Sequence, residues 1–176
     1  KGSFYSSIVG GSNQFLHGSS YAAIVGGIQS VMSGSLQSII LGGTSNESKY
    51  STASFIGGGG VNTITGSVRS GIVAGSQNTI SGSSYSIIAG GVLNGVNNSQ
   101  GTSIVGGESN RISENSNASI VGGSGNTIES TAISSAIIGA SELNAISAQT
   151  TYLRGLNVNS DVAGNTPNGN WLRYHG

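Results

Sequence analysis

The sequence contains no cysteine, a single proline and very few charged residues. Without cysteine, a disulfide scaffold and thiolate metal sites are excluded. Charged residues make up 7% of the chain, against about a quarter in ordinary soluble domains. The six lysines and arginines are too dispersed to form the basic face that nucleic-acid binding needs. No apolar run approaches the length of about 18 residues typical of a membrane-spanning helix. We therefore expect no nucleic-acid partner and no membrane insertion by this segment.

Glycine, serine and asparagine are abundant and together make up nearly half of the 176 residues. Such a composition is typical of a flexible linker, but disorder also needs low hydrophobicity, and 35% of this chain is apolar. The apolar residues recur in a unit of two adjacent apolar residues followed by two small ones. The unit occurs nine times, starting at residues 8, 24, 40, 55, 72, 87, 104, 120 and 137. Its period is 16, with one-residue displacements at three of the nine units.

A second series of residues keeps the same period. Six asparagines stand 16 residues apart, and most of them are followed two positions later by an apolar residue: Asn46, Asn62, Asn78, Asn94, Asn110 and Asn126. Glycines at positions 18, 34, 66 and 82 mark a further turn in four of the units. Each unit therefore predicts a short strand, a corner of small residues, a second short strand and a turn.

We expect these units to form a parallel β-solenoid rather than helices. Every unit contains adjacent glycines or a Gly/Ala pair, and glycine costs about 1 kcal/mol in a helix interior. The isoleucines and valines of the apolar positions favour strands instead. The predicted fold is all-β, with about nine 16-residue coils over residues 4–149, stacked about 4.8 Å apart into a rod. Residues 150–176 lie outside the repeat and are predicted to cap it or to join it to a following domain.

The adjacent apolar pair predicts association between chains. Neighbouring residues on a strand point to opposite faces, so that in Ile120-Val121 one side chain enters the core and the other points outward. A stripe of nine outward aliphatic side chains exceeds the apolar patch that soluble monomers usually expose. Other copies of the same chain, arranged around an axis, would cover the stripe. We expect a homotrimer, although these residues do not determine the order of the symmetry.

Units such as Ala118-Ser119-Ile120-Val121-Gly122-Gly123 resemble the head repeats of trimeric autotransporter adhesins, the YadA-like family. The resemblance covers about residues 4–147 and extends to the similar repeats of trimeric phage tail fibres and injection-machine fibres. It implies a left-handed parallel β-roll whose coils associate in threes through their apolar outer faces. The period of 16 departs from the shorter repeat that is usual in the family. The resemblance implies a trimeric fibre more directly than a bacterial adhesin.

Aromatic and arginine residues are concentrated in the C-terminal segment. Such side chains are favoured at interfaces, so that the segment is a candidate contact for a cell-surface carbohydrate or protein receptor. The residues concerned are Tyr152, Arg154, Trp171, Arg173 and Tyr174. The other interpretation is that they are buried in the cap or join the next domain. The asparagine column is predicted to be structural, because stacked Asn side chains bond from coil to coil and Asn tolerates the left-handed backbone of a turn.

Residues suited to catalysis or metal binding are scarce. A nucleophile–base–acid set needs a histidine beside a carboxylate, but His17 and His175 stand at opposite ends of the chain and Asp161 is the only aspartate. We expect no catalytic residues, no cofactor and no metal. The predicted function is a non-enzymatic fibre for attachment, extracellular, on a bacterial surface, a virion or an injection machine. The alternative is a polysaccharide-degrading spike whose two carboxylates come from different coils.

Overall fold

A computed structural model describes residues 2–153, which form a parallel β-solenoid without helices. Each coil contributes one strand to each of two parallel sheets. The ten-stranded sheet contains Ser7–Val9 (β1), Ala23–Val25 (β3), Ile39–Ile40 (β5), Phe55–Ile56 (β7), Gly71–Ile72 (β9), Ile87–Ile88 (β11), Ser103–Ile104 (β13), Ser119–Val121 (β15), Ala136–Ile138 (β17) and Thr151–Leu153 (β19). The nine-stranded sheet contains Phe15–His17 (β2), Val31–Ser33 (β4), Glu47–Lys49 (β6), Thr63–Thr65 (β8), Thr79–Ser81 (β10), Gly95–Asn97 (β12), Arg111–Ser113 (β14), Thr127–Ile128 (β16) and Asn144–Ala145 (β18).

Two further columns of pairing connect the sheets. One column of single-residue parallel bridges runs from Phe4 to Ser116, and the other runs from Ser12 to Ser141. Each coil therefore has four paired sides, whereas the sequence pattern predicted two strands and two turns. The sequence does not predict the bridge columns, because the residues that form them follow no regular pattern: they include Ser, Leu, Thr, Val, Gln, Gly and Glu.

The period of 16 holds without interruption from β1 to β15. Ile40, Ile56, Ile72, Ile88 and Ile104 pair in register along the ten-stranded sheet. The displaced units at 55 and 87 therefore leave the coil length unchanged, and the first member of each apolar pair points outward there instead of the second. One real insertion occurs later, because Ile120 pairs with Ile137, and the turn at residues 130–134 accommodates the extra residue. The following coil is one residue shorter than the period of 16, because Ile137 pairs with Tyr152.

The core consists of one inward residue from each strand. In the ten-stranded sheet this residue is isoleucine from Ile24 to Ile137, and every one of these side chains is fully buried. The nine-stranded sheet contributes a more varied column that includes Met32, Ser48, Ile64 and Val96. Burying one such aliphatic side chain contributes about 1.5–3 kcal/mol. The regular spacing of the core residues therefore explains why strands of two or three residues stack stably.

The corner after each strand of the ten-stranded sheet from β1 to β15 is a glycine, and Ala140 takes its place after β17. At Gly75 the backbone has φ +100°, and a Cβ there would collide with the carbonyl oxygen of Gly91 in the next coil. The turn after each strand of the nine-stranded sheet also accepts residues other than glycine. Gly66 has φ +58° there, but Tyr50 and Glu114 adopt φ 49° and 52° at equivalent positions. A left-handed backbone costs a non-glycine residue about 1–2 kcal/mol, which the stacked coils tolerate.

Candidate functional site

The outward side of the ten-stranded sheet forms the candidate functional surface, which we call the apolar face. Its side chains come from the residues on either side of each inward isoleucine. The second of the two outward positions is mostly aliphatic and 36% to 57% exposed: Val9, Val25, Leu41, Val73, Val105, Val121, Ile138 and Leu153. The first position is occupied by Ser7, Ala23, Ile39, Phe55, Gly71, Ile87, Ser103, Ser119, Ala136 and Thr151. Neither column contains a charged residue.

In two coils the sizes of the outward residues are reversed. Gly57 and Ala89 occupy the second position, and Phe55 and Ile87 occupy the first. The Phe55 ring lies over the missing side chain, since a Cβ at Gly57 would stand 3.0 Å from Phe55 Cζ and 3.2 Å from Cε1. The predicted stripe of nine outward apolar residues is therefore displaced sideways at these two coils, while every coil keeps at least one large apolar side chain on the face.

The apolar face is long and narrow. Ten strands spaced about 4.8 Å apart span about 45 Å, and three residues across a strand span about 10 Å. The whole face, its Ser and Thr side chains included, therefore covers about 450 Å², which lies within the range of the largest apolar patch of a typical soluble monomer and does not exceed it as the sequence predicted; patches of this size often serve binding. The outward residues of successive coils lie beside one another because the strands pair in register.

The outward side of the nine-stranded sheet, the polar face, has the opposite chemistry. Its two outward columns are mostly Thr, Ser, Asn and charged residues, including Thr63, Thr65, Thr79, Arg111 and Ser113. Glu47 and Lys49 form an ion pair there, with a distance of 2.6 Å between Oε1 and Nζ. Exposed ion pairs of this kind contribute about 0–1 kcal/mol, so that the polar face is well suited to remain in water.

Buried hydrogen bonds connect the coils beside the nine-stranded sheet. Asn78 Nδ2 donates to the carbonyl oxygens of Ala74 at 3.3 Å and Gly91 at 2.9 Å, and Asn78 Oδ1 accepts from the Asn94 N–H at 3.0 Å. The same arrangement recurs along a buried column, which we call the asparagine ladder: Asn46, Asn62, Asn78, Asn94, Asn110 and Asn126. The left-handed backbone lies at the residue before each asparagine, as at Gln77, and not at the asparagine itself.

Two serine columns make corresponding bonds on the other corners. Ser67 Oγ accepts from the Ser83 N–H at 3.2 Å, and Ser70 Oγ accepts from the Ser86 N–H at 3.3 Å. Both columns are buried. Interior serine was not predicted from the sequence, although the period of 16 in residues such as Ser51, Ser67 and Ser83 would have revealed it. These ladders satisfy the polar groups of a narrow core that aliphatic side chains alone could not fill.

The candidate receptor residues fall mostly outside the described residues. Arg154, Trp171, Arg173 and Tyr174 lie there, and only Tyr152 is described. Tyr152 is half-buried in β19 and packs against the core. Its hydroxyl accepts hydrogen bonds from the N–H groups of Ile146 at 3.1 Å and Ser147 at 2.9 Å. Tyr152 therefore packs against the core and holds the preceding turn.

Carboxylates come together in one shallow depression of about 250 Å³. Glu114 and Glu129 line it with Arg111, and both glutamates are exposed. This is the kind of cross-coil pair that the polysaccharide-degrading alternative requires, but the residues that line the depression are all polar or charged. Within residues 2–153 no cluster of three His, Asp or Glu side chains could hold a metal ion. The same residues include no helix able to cross a membrane.

Comparison with protein-family models and with curated proteins finds no match to this chain.

Proposed function

We propose that the chain is part of a non-enzymatic, trimeric attachment fibre, whose copies associate through the apolar face. The observation that supports this proposal is the uncharged aliphatic surface running the whole length of the ten-stranded sheet. Burying apolar surface stabilises association by about 25 cal/mol per Å². In water this surface would stay exposed on a single chain.

A second copy of the chain fits the apolar face better than an unrelated partner. The strand spacing of the face repeats at every coil, and its occupant needs the same spacing over ten strands, which an identical solenoid has by construction. Parallel identical copies also place like residues side by side, and like charges at such positions would repel. The apolar face has no charges, whereas the polar face would bring Glu47 to Glu47 and Arg111 to Arg111. Both arguments favour parallel copies joined through the apolar face.

Native mass measurement of the full chain at micromolar concentration tests the assembly. We expect a mass of three chains, 17.4 kDa each. A well-folded monomer would contradict the proposal, and a stable dimer would contradict the threefold arrangement.

The fibre would act by presenting receptor contacts at its C-terminal end, outside a cell or on a virion. The shaft offers little to distinguish one partner from another, because its coils present similar small side chains. Trimerisation would bring three copies of the C-terminal aromatic residues to one end, so that weak contacts gain avidity. Aromatic rings stack on sugars, and carbohydrate is therefore the partner we propose.

Substitution in the full chain tests this location. The triple variant W171A/R173A/Y174A should lose binding to glycan arrays or target cells, and the matched shaft variant Y50A, at a side chain that is 71% exposed, should keep it. Unchanged binding by the triple variant would move recognition elsewhere. Release of sugars from polysaccharide by the wild type, lost in E114Q/E129Q, would favour the degrading spike instead.

A further inference from the structure

The apolar face is regular at both ends and irregular in the middle. Towards the ends, a small first residue accompanies an aliphatic second one, as in Ser103 with Val105 and Ser119 with Val121. Between residues 39 and 89 the sizes alternate. Ile39 and Leu41 are both large, and the following three coils carry Phe55 with Gly57, Gly71 with Val73, and Ile87 with Ala89.

A fully regular face would leave parallel chains free to slide. If every coil presented the same two side chains, a shift of one coil, about 4.8 Å, would restore nearly every contact. Such flat and repetitive strands specify their register weakly. The trimer would then form as a mixture of staggered assemblies whose ends do not coincide.

We infer that Phe55 with Gly57, and Ile87 with Ala89, fix the axial register between copies of the chain. The inference rests on the proposed assembly through the apolar face. In register, each large side chain of one copy lies at the level of the small residue of the same coil in its neighbour. A slide by one coil places Phe55 at the level of Gly71 and Val73, and Ile87 at the level of Ser103 and Val105. The sizes then no longer complement one another, which leaves a cavity at one side chain and a clash at another.

The backbone keeps the irregularity at residue 57 in place. A Cβ at Gly57 would collide with the carbonyl oxygen of Val73, so that this position admits only glycine and the Phe55 ring occupies the space. At Gly71, in the next coil, a Cβ would stand 3.7 Å from Phe55 Cδ1. Phe55 therefore projects above the two glycines as a local ridge. Residue 89 already carries a Cβ, which makes the second irregular coil the easier one to change.

Disulfide trapping tests the register, since the chain has no cysteine of its own. Two differently tagged full-length chains, one carrying V105C and the other I138C, are assembled together and mildly oxidised. The two positions lie two coils apart, about 10 Å along the axis, beyond the reach of a disulfide at about 7 Å between Cα atoms. We expect disulfides between like positions and at most a trace of the mixed 105–138 disulfide.

The same pair is then placed in a regularised background, F55S/I87S/A89V. Here the coil of Ile88 presents the same outward pair as Ser103 and Val105 in the next coil. We expect a trimer of unchanged mass, with the mixed disulfide rising from a trace to a yield comparable with the like-position disulfides. The control V9S/V25S removes apolar area from a regular stretch, and it should lower the melting temperature without producing the mixed disulfide.

The possible results distinguish a failure of the register inference from a failure of the proposed assembly. A wild-type monomer would refute the proposed assembly. A regularised trimer without the mixed disulfide would overturn the register inference and leave the assembly intact. Failure of the regularised chain to assemble, while V9S/V25S assembles, would show that the irregular coils supply affinity rather than register and would also overturn the inference.

Discussion

The two sheets of the solenoid share one backbone geometry and present opposite chemistry to the outside. Both are parallel, both repeat every 16 residues, and both bury one side chain per strand. Outside, the ten-stranded sheet carries aliphatic residues without charge, and the nine-stranded sheet carries Thr, Ser, Asn and ion-paired residues such as Glu47 and Lys49. The inward positions therefore specify this fold, while the outward positions are free to specify partners.

A charge placed in the core that the two sheets share should destabilise the protein most. Ile120 and Ile112 are both fully buried, one beneath each sheet. Either Ile120→Asp or Ile112→Asp leaves a buried charge without a partner, which costs about 3–5 kcal/mol. Thermal unfolding followed by circular dichroism should show similar losses for the two variants. A loss confined to one of them would mean that the sheets do not share a single core.

The next prediction separates the two outer faces. Val121→Asp places a charge on the apolar face, and Ser113→Asp places the same charge on the polar face. Both side chains are accessible in a single chain, so that each variant should change the stability of the isolated solenoid by no more than about 0.5 kcal/mol. In native mass measurements only Val121→Asp should fail to form the proposed trimer. If both variants assembled normally, the apolar face would not be the interface.

The sequence pattern was sufficient to predict the solenoid and the apolar residues of each coil, because period and residue type carry that information directly, but it did not predict the buried serines. It was less informative about the outside. At Phe55 and Ile87 the apolar pair starts one residue early, and the register shows that the coil length is unchanged and that the first residue of the pair points outward. Only the strand pairing shows which residue of an apolar pair points inward, since the sequence contains two adjacent apolar residues either way. The four-sided coil also depends on single-residue bridges, which have no characteristic composition.

A third prediction compares the buried ladders beside the two sheets. Asn78 lies immediately before a strand of the nine-stranded sheet, and Ser70 lies immediately before one of the ten-stranded sheet. Asn78→Ala removes several bonds and leaves buried groups without partners, for a loss of about 2–3 kcal/mol. Ser70→Ala should cost less than about 1 kcal/mol, because Ala22 and Ala118 occupy the equivalent buried position in other coils. Urea unfolding of both variants measures the difference, and equal losses would contradict it.

A substitution that extends the asparagine ladder by one coil should change the stability of the protein least. Ser30 occupies the ladder position before Asn46, and its Oγ is fully buried with no hydrogen-bond partner within residues 2–153. An asparagine there would offer Nδ2 to the carbonyl oxygen of Gly43 and Oδ1 to the Asn46 N–H, the arrangement that Asn62 makes with Gly75 and Asn78. Each buried hydrogen bond contributes about 0.5–1.5 kcal/mol net. Ser30→Asn should therefore raise the melting temperature by about 2–4 °C.

The control Ser30→Ala removes only an unpaired hydroxyl and should leave stability unchanged or slightly higher. A clear loss in Ser30→Ala would show that the Ser30 hydroxyl binds a buried water, and the ladder would then already be continuous at this coil.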